Sequence, residues 1–332
     1  YTSVGTIATM RLWSVVLVLG LLALTGCRPA ADSESESESQ SQSQNGTWTI
    51  ESGGQQRSYA LYVPASVPDP APLVLMLHGA FGSAEHSQEY YGWDAAAERY
   101  GFVVAYAEGL GRAWAAGGGC CGRPGREQVD DVGFLTAVVA DVSRRVAIDP
   151  DRVYATGMSN GGMMAYRLAC DTTIFAAIAP VAATLAGECP SPAPVSVLHI
   201  HGTEDGIIRY DGEPGRAADH VTGPAIVSLV DMWRTVDGCD APREATEGVV
   251  TTSSAECPAG RSVVLVTVAG AGHQWPGSST SLAQRVIGAD PPSDAIDATT
   301  LIAEFFLAHP RAHGEGYRSR WRTPGARPHP TA

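Results

Sequence analysis

The sequence predicts a single α/β domain, with a mostly parallel central sheet covered by helices on both faces. Between residues 47 and 310, apolar runs of strand length alternate with segments of helical periodicity. Several of the strand-length runs are apolar throughout, which is typical of strands that are buried on both faces. Hydrophobic residues make up 44% of the chain, enough for a large core, and we find no internal repeat and no second domain boundary.

The predicted strands are short apolar runs that alternate with helical segments along the chain. The clearest is the run at 73–77, which is continuously apolar and ends at His78-Gly79. In chain order, the strands are predicted at residues 58–63, 73–77, 102–106, 152–156, 195–200 and 262–268.

The predicted helices lie between and after these strands. Asp130 can cap the second helix, whose apolar residues recur every three or four positions until Asp149-Pro150 ends it. In the last helix, Phe305 and Phe306 are expected to face the core. In chain order, the helices are predicted at residues 95–100, from Asp130 onwards, at 160–169 and at 296–307.

The first 27 residues have the pattern of an export signal. Met10, the expected start, and Arg11 precede an apolar run that ends at Leu24 and is too short for a comfortable membrane span. Leu24-Thr25-Gly26-Cys27 resembles the bacterial lipobox, in which the cysteine is lipidated. Ordinary secretion with an incidental Cys27 is the alternative. We therefore expect an exported protein, anchored to the cell envelope by lipid or released, with no other membrane contact.

Two segments flank the predicted catalytic domain at 47–310. Residues 28–46 are rich in Ser, Glu and Gln and predict a flexible tether. Residues 311–332 are rich in Arg and Pro and predict a disordered tail, with contact to anionic envelope polymers as the alternative. The formal net charge of −13 argues against a nucleic-acid partner. We expect a monomer.

A serine lies at the turn between a predicted strand and a predicted helix. The segment Gly157-Met158-Ser159-Asn160-Gly161 matches G-x-S-x-G. In this motif the chain turns so sharply that the serine is strained and projects its hydroxyl, and the flanking residues must be small. In its context the motif predicts an α/β-hydrolase fold with Ser159 as nucleophile. A Gly-rich turn with an incidental serine is the alternative.

Two further residues would complete a catalytic triad. In this fold the acid and then the histidine follow the serine, each after a strand. His273 follows the last strong strand in a Gly-flanked loop and is the predicted base. Asp205 follows the preceding strand and is the predicted acid, with its neighbour Glu204 as the alternative. His199 and His201, at the end of that strand, are expected to be structural.

Two backbone N–H groups are expected to stabilise the negative charge that develops on the substrate oxygen. One belongs to Asn160, directly after the nucleophile. The other is assigned to Ala80, in the turn His78-Gly79-Ala80-Phe81-Gly82, which His78 is expected to brace. The sequence has no H-E-x-x-H motif and no paired C-x-x-C motifs, so we expect neither a metal nor a cofactor.

Six cysteines lie outside the export signal, and an even number in an exported protein suggests disulfides. A Cys239–Cys257 bond would pin a long surface loop. A Cys170–Cys189 bond would brace the helix after the nucleophile. The adjacent Cys120 and Cys121 could form a vicinal disulfide, remain buried thiols, or exchange partners with the second pair.

Seven motifs along residues 55–308 carry a resemblance to a known family. They are Leu77-His78-Gly79, Gly118-Gly119-Cys120-Cys121-Gly122, Val129-Asp130-Asp131-Val132-Gly133-Phe134, Asp149-Pro150-Asp151-Arg152-Val153-Tyr154, Gly157-Met158-Ser159-Asn160-Gly161-Gly162-Met163-Met164, His201-Gly202-Thr203-Glu204-Asp205 and Gly272-His273-Gln274-Trp275-Pro276-Gly277. With them the chain resembles the esterase/poly(3-hydroxybutyrate) depolymerase family, which includes feruloyl-esterase-like carbohydrate esterases. The resemblance implies a serine carboxylic-ester hydrolase with the triad assigned above.

The resemblance also implies the substrate class, namely hydroxyalkanoate polyesters or oligomers and feruloyl- or acetyl-type esters. The family often has Cys after His-Gly, where this chain has Ala80-Phe81, and usually Tyr-Pro-Glu-Gly in place of Tyr106-Ala107-Glu108-Gly109. Candidates for lining the substrate pocket are Phe81, Trp114 and Trp275, because aromatic side chains supply large apolar contacts. The alternative for the tryptophans is packing in the core.

Two other functions are weighed against an esterase. A serine peptidase can use the same fold, but such peptidases often carry an added propeller or cap domain, for which this chain has no room. A non-catalytic surface-binding lipoprotein would be favoured by the loss of a triad residue, and all three are present.

Overall fold

A computed structural model describes residues 44–216, 221–279 and 290–311. The expected export signal with Cys27, the linker up to residue 43 and the tail from residue 312 lie outside the described residues. Within these ranges, no helix has the length and apolar character needed to cross a membrane.

The strands of the described chain form one mixed sheet. In chain order they are β1 Gly46–Ser52, β2 Gln55–Tyr62, β3 Ala71–Leu77, β4 Val103–Ala107, β5 Ile148–Met158, β6 Ala177–Val181, β7 Ser196–Gly202, β8 Arg243–Glu247, β9 Val250–Cys257 and β10 Arg261–Val268. Their order across the sheet is β1-β2-β4-β3-β5-β6-β7-β10-β9-β8. The central strands from β4 to β10 pair in parallel, and antiparallel strands flank them on both sides.

Helices cover the two faces of the sheet. They are α1 Ala84–Tyr90, α2 Trp93–Tyr100, α3 Gly122–Glu127, α4 Asp131–Arg145, α5 Asn160–Asp171, α6 Ile226–Asp237 and α7 Ala298–Ala308, with one-turn 3₁₀ helices at Leu110–Arg112 and Pro258–Gly260. Side chains of α4, α5 and α6 pack in the core layer on one face. Side chains of α1, α2 and α7 pack in the layer on the other face.

Strand β3 shows why its sequence is apolar throughout. Leu73, Leu75 and Leu77 point into the first core layer, and Val74 and Met76 point into the second. Successive side chains of a strand face opposite sides of the sheet, so a strand between two helical layers is apolar at every position. The predicted α/β-hydrolase architecture is therefore confirmed.

One predicted boundary was wrong. Asp130 caps α4 as predicted, and its Oδ1 accepts a hydrogen bond from the Gly133 N–H at 2.7 Å. The helix, however, ends at Arg145, because Val146 adopts an extended conformation. Asp149-Pro150 consequently lies inside β5 and does not end the helix.

Candidate active site

Ser159 occupies a strained turn between β5 and α5. Its backbone has φ 54° and ψ −120°, a combination that non-glycine residues rarely adopt. The Ser159 N–H donates to the Val181 carbonyl at 2.8 Å, which fixes the turn to the end of β6. A Cβ at Gly157 would lie 2.6 Å from the Leu77 oxygen, and one at Gly161 would overlap the same oxygen. The two glycines of the motif are required by this close approach of three chain segments.

The predicted acid and base are in contact. Asp205 follows β7 and His273 follows β10, so both lie at the carboxyl edge of the parallel strands, as Ser159 does after β5. His273 Nδ1 is 2.8 Å from Asp205 Oδ2. Because Nδ1 faces a carboxylate it carries the imidazole proton, which leaves Nε2 as the proton acceptor. The alternative acid, Glu204, is exposed to solvent.

The Asp205 carboxylate is rigidly held and ionised. Its Oδ1 accepts the N–H groups of Ile207 and Ile208, each at 2.8 Å. Burial acts to raise the pKa of Asp205, but hydrogen bonds from His201 and His273 outweigh burial and hold the pKa well below its usual value. A buried carboxylate that remains charged can stabilise the imidazolium formed during catalysis.

The backbone of His273 is anchored by a residue that the sequence analysis missed. The His273 N–H donates to Asp290 Oδ2 at 2.7 Å. A side chain at Gly272 would collide with the Asp290 carboxylate, so the glycine is needed for this contact. Asp290 lies 17 residues further along the chain and belongs to no motif, so the sequence offered no signal for it.

The two predicted oxyanion donors lie next to Ser159. A Cβ built on Gly79 would lie 3.6 Å from the Ser159 Cβ, so this turn lies against Ser159. The Phe81 and Gly82 N–H groups donate to backbone carbonyls, whereas the backbone hydrogen bonds of the described residues include none from Ala80. Asn160 is the first residue of α5, where a helical N–H has no partner within the helix.

A buried network braces this turn. His78 Nδ1 donates to the Gly79 carbonyl at 2.8 Å, and its Nε2 accepts the Gly109 N–H at 2.9 Å. Burial lowers the pKa of His78 to about 4, so the ring is neutral. Trp114 Nε1 donates to the His78 carbonyl at 2.8 Å, and the Asn160 side chain bonds both backbone groups of Trp114. His78 is structural, as expected.

The aromatic candidates for the substrate pocket fall into two classes. Trp114 and Trp275 are both buried, so neither has a surface to offer a substrate, which corrects that prediction. Trp275 stacks on Tyr91 with ring centroids 4.7 Å apart and donates to Thr299 Oγ1. Both tryptophans are packed in the core, the alternative stated above. Phe81 is 71% exposed beside the oxyanion turn, where a substrate can reach it.

The six cysteines form three disulfides, each between two cysteines that are consecutive along the chain. They are Cys120–Cys121, Cys170–Cys189 and Cys239–Cys257. Cys120 and Cys121 are buried, and Cys120 contacts Met163 of α5. Of the alternatives weighed for the adjacent pair, the structure has the vicinal bond. Disulfides of this number fit an extracellular protein.

Comparison with known proteins identifies the family. Residues 57–211 match the model of the family described as "Esterase PHB depolymerase". The "Putative esterase NocK" of Nocardia uniformis subsp. tsuyamanensis is 35% identical over 268 residues, which cover 71% of this chain and 75% of that protein. The chain belongs to the esterase PHB depolymerase family. It is therefore a carboxylic-ester hydrolase.

Two further proteins place this esterase among its relatives. "Feruloyl esterase B" of Piromyces equi is 30% identical over 217 residues, which cover 61% of this chain but 39% of that larger protein. The acetyl xylan esterase of Aspergillus awamori has a similar structure, with a TM-score of 0.53 over 74% of this chain and 98% of that one, at 15% identity. The structural likeness shows the shared fold.

Proposed function

We propose that this esterase works through an acyl-enzyme intermediate on Ser159, with His273 as base and Asp205 as the acid that orients it. The observation that carries the proposal is the 2.8 Å contact between His273 Nδ1 and the buried Asp205 carboxylate. It lies at the same sheet edge as the strained serine. This arrangement leaves His273 Nε2 free to take the hydroxyl proton.

The reaction then follows from these positions. The Ser159 hydroxyl oxygen attacks the ester carbonyl carbon while His273 Nε2 takes the hydroxyl proton. The N–H groups of Ala80 and Asn160 stabilise the resulting oxyanion. The bond to the alcohol breaks, and the alcohol oxygen receives the proton from His273. Water then attacks the acyl-enzyme with His273 again as base, which releases the acid and restores the serine.

We propose that the substrates are hydroxyalkanoate oligomers or polyester, or esters of the feruloyl or acetyl type. Membership of the family and the relative named a feruloyl esterase support this range. Exposed Phe81 supports an apolar or aromatic group next to the scissile carbonyl, because burying a phenyl ring contributes roughly 1.5–3 kcal/mol.

A substrate panel tests the proposal. We would compare p-nitrophenyl esters of varied chain length, methyl ferulate, hydroxybutyrate oligomers and a peptide p-nitroanilide for the wild-type protein and Phe81→Ala. Ester turnover that rises with apolar acyl size, and that loses this preference in Phe81→Ala, is expected. Faster cleavage of the anilide than of any ester would contradict the proposal in favour of a peptidase.

We also propose that the esterase is exported and held to the envelope through a lipid on Cys27. The apolar run before Leu24-Thr25-Gly26-Cys27 and the three disulfides support this location. Cys27→Ala should move the esterase from the membrane fraction to the soluble exported fraction without changing its specific activity. An unchanged membrane fraction would argue against the anchor.

A further inference from the structure

A row of buried polar side chains leads from the nucleophile helix to the acid. The Tyr166 hydroxyl lies 2.7 Å from His199 Nδ1, and His199 Nε2 lies 2.9 Å from His201 Nδ1. His201 Nε2 lies 2.8 Å from the Ile208 carbonyl oxygen and 3.3 Å from Asp205 Oδ2. Tyr166 and the two histidines are at most 1% exposed. From the sequence, His199 and His201 were expected only to be structural.

With both histidines neutral, the acceptor oxygens at the Asp205 end fix the direction of every hydrogen bond in this row. Ile208 and Asp205 offer His201 Nε2 only acceptor oxygens, so this nitrogen must carry the proton. Nδ1 of His201 is then an acceptor, so His199 Nε2 donates to it. The remaining nitrogen of His199 accepts from the Tyr166 hydroxyl. The row is therefore a chain of donors that ends at the His201 Nε2–H, which donates to the Ile208 carbonyl and lies 3.3 Å from Asp205 Oδ2.

The protonation states agree with this direction. Burial holds the pKa of His199 well below its usual value, so its ring is neutral. Burial raises the pKa of Tyr166 well above its usual value, so its hydroxyl keeps the proton that it donates. The other ring packed edge-on against His201 is Tyr210, whose hydroxyl bonds Thr267 instead.

The row of polar side chains approaches Asp205 at Oδ2, the same oxygen that contacts His273. Asp205 Oδ1 accepts two backbone N–H groups, and Oδ2 lies 2.8 Å from His273 Nδ1 and 3.3 Å from His201 Nε2. At its other end, Tyr166 lies two helical turns after Ser159 on α5. The row thus connects the helix that carries the nucleophile to the carboxylate that orients the base.

We propose that Tyr166, His199 and His201 are positioning residues. They determine the charge density and the orientation of Asp205 Oδ2, the carboxylate oxygen that contacts His273. The inference rests on the proposed function of the triad. If the His201 donor is lost, Oδ1 stays anchored and Oδ2 faces His273 alone with more negative charge. Protonated His273 is then stabilised, so the acidic limb of the pH–rate profile moves to higher pH.

The decisive pair of variants is His201→Leu and His201→Gln, because Gln keeps an N–H at the position of the imidazole Nε2. For His201→Leu we expect kcat to fall about tenfold or more with KM within about twofold, and the acidic limb to move up by about half a pH unit or more. His201→Gln should recover most of kcat and the wild-type limb. A wild-type profile in His201→Leu, or an equal loss in both variants, would overturn the inference.

Tyr166→Phe provides a second test in which one oxygen is removed and the fold is retained. It should shift the acidic limb in the same direction as His201→Leu, but less. Tyr59→Phe is the control, because Tyr59 is equally buried and its hydroxyl hydrogen-bonds Asp141 and Arg145, away from the site. If Tyr166→Phe and Tyr59→Phe have the same pH–rate profile, the row does not act on the triad.

A failure of this inference is distinguishable from a failure of the proposed function. Covalent labelling of Ser159 by a fluorophosphonate in the wild-type protein, and its absence in Ser159→Ala, reports on the triad alone. Labelled and active wild-type protein with unaltered His201→Leu kinetics would reject only the positioning role. A wild-type protein that hydrolyses esters without labelling at Ser159 would reject both.

Discussion

At the scale of single residues, two residues of the site have backbone conformations that are unfavourable for non-glycine residues. Ser159 has a positive φ, and so does Phe81 at 65°. Each is costly for a non-glycine residue, at roughly 1–3 kcal/mol. Both residues flank the position where the substrate carbonyl is expected. Two of the six described non-glycine residues with a positive φ thus lie where the proposed nucleophile and oxyanion donors must face the same point.

The first prediction concerns Ser159 itself. Ser159→Ala should lower kcat by about a millionfold, because no other hydroxyl takes its place. The fold should be retained, since the Ser159 N–H, not its side chain, bonds Val181. The measurement is ester hydrolysis together with thermal unfolding. Ser143→Ala, in α4, is the control that should keep full activity. Retention of about a tenth of wild-type activity in Ser159→Ala would refute its role.

The second prediction is a loss of stability in mild acid that originates at His78. Its pKa is lowered by burial to about 4, whereas an unfolded histidine titrates near 6.5. Between these values the unfolded chain binds more protons, so the free energy of unfolding decreases as pH falls from 6.5 towards 4. His199 contributes in the same direction.

Urea unfolding at pH 7 and pH 5 measures this effect. His78 should contribute a loss of about 2 kcal/mol between these two conditions. His78→Gln keeps an acceptor for the Gly109 N–H and removes the titration, so its loss between the two pH values should be smaller by that amount. An identical loss in the variant and the wild-type protein would show that His78 does not titrate in this way.

At the scale of elements, the two longer-range disulfides provide the third prediction. Cys170–Cys189 closes 19 positions and Cys239–Cys257 closes 18, so loop entropy assigns each about 3 kcal/mol. Replacing both cysteines of either pair with Ser should lower the free energy of unfolding by similar amounts. The two double variants serve as controls for each other. Peptide mapping without reduction that finds any other pairing would contradict the assignment.

Three of the strands that the sequence predicted, β3, β4 and β7, are buried at every position. The pattern missed β8, whose residues Arg243–Glu247 are all exposed, since an edge strand on the surface carries no apolar signal. It also missed β6, a five-residue strand that contains Pro180. In contrast, α6 does repeat apolar residues at helical spacing, at Ile226, Leu229, Val230 and Trp233, so its signal was present in the sequence.

The same distinction applies to the site. Ser159, Asp205 and His273 are recognisable because each follows a strand in a motif, and the parallel sheet then brings the strand ends together. Asp290 and the row from Tyr166 to His201 were not recognised as partners of the triad. Their proposed roles depend on contacts between distant parts of the chain. Such contacts cannot be read from a local sequence motif.

At the scale of the whole molecule, the order of the strands explains why the residues of the proposed triad lie together at the carboxyl edge of the sheet. Strands β5, β7 and β10 are parallel, and β6 alone separates the first two. The loops after them must therefore meet above the sheet. The acid and base loops are in direct contact, because the Glu204 N–H donates to the Ala271 carbonyl at 2.9 Å. The three residues of the proposed triad are held by the same sheet that forms the core.

The last prediction is that the whole esterase needs no metal or organic cofactor. The nucleophile, the base and the donors for the oxyanion are all supplied by its own side chains and backbone. Within the described ranges, no three His, Cys, Asp or Glu side chains are grouped so that they could hold a metal ion. Dialysis against EDTA should therefore leave kcat/KM for p-nitrophenyl esters unchanged, with apo- and zinc-loaded carbonic anhydrase as a positive control for chelation. Activity that disappears on dialysis and returns with a divalent ion would require a different mechanism for the hydrolysis step.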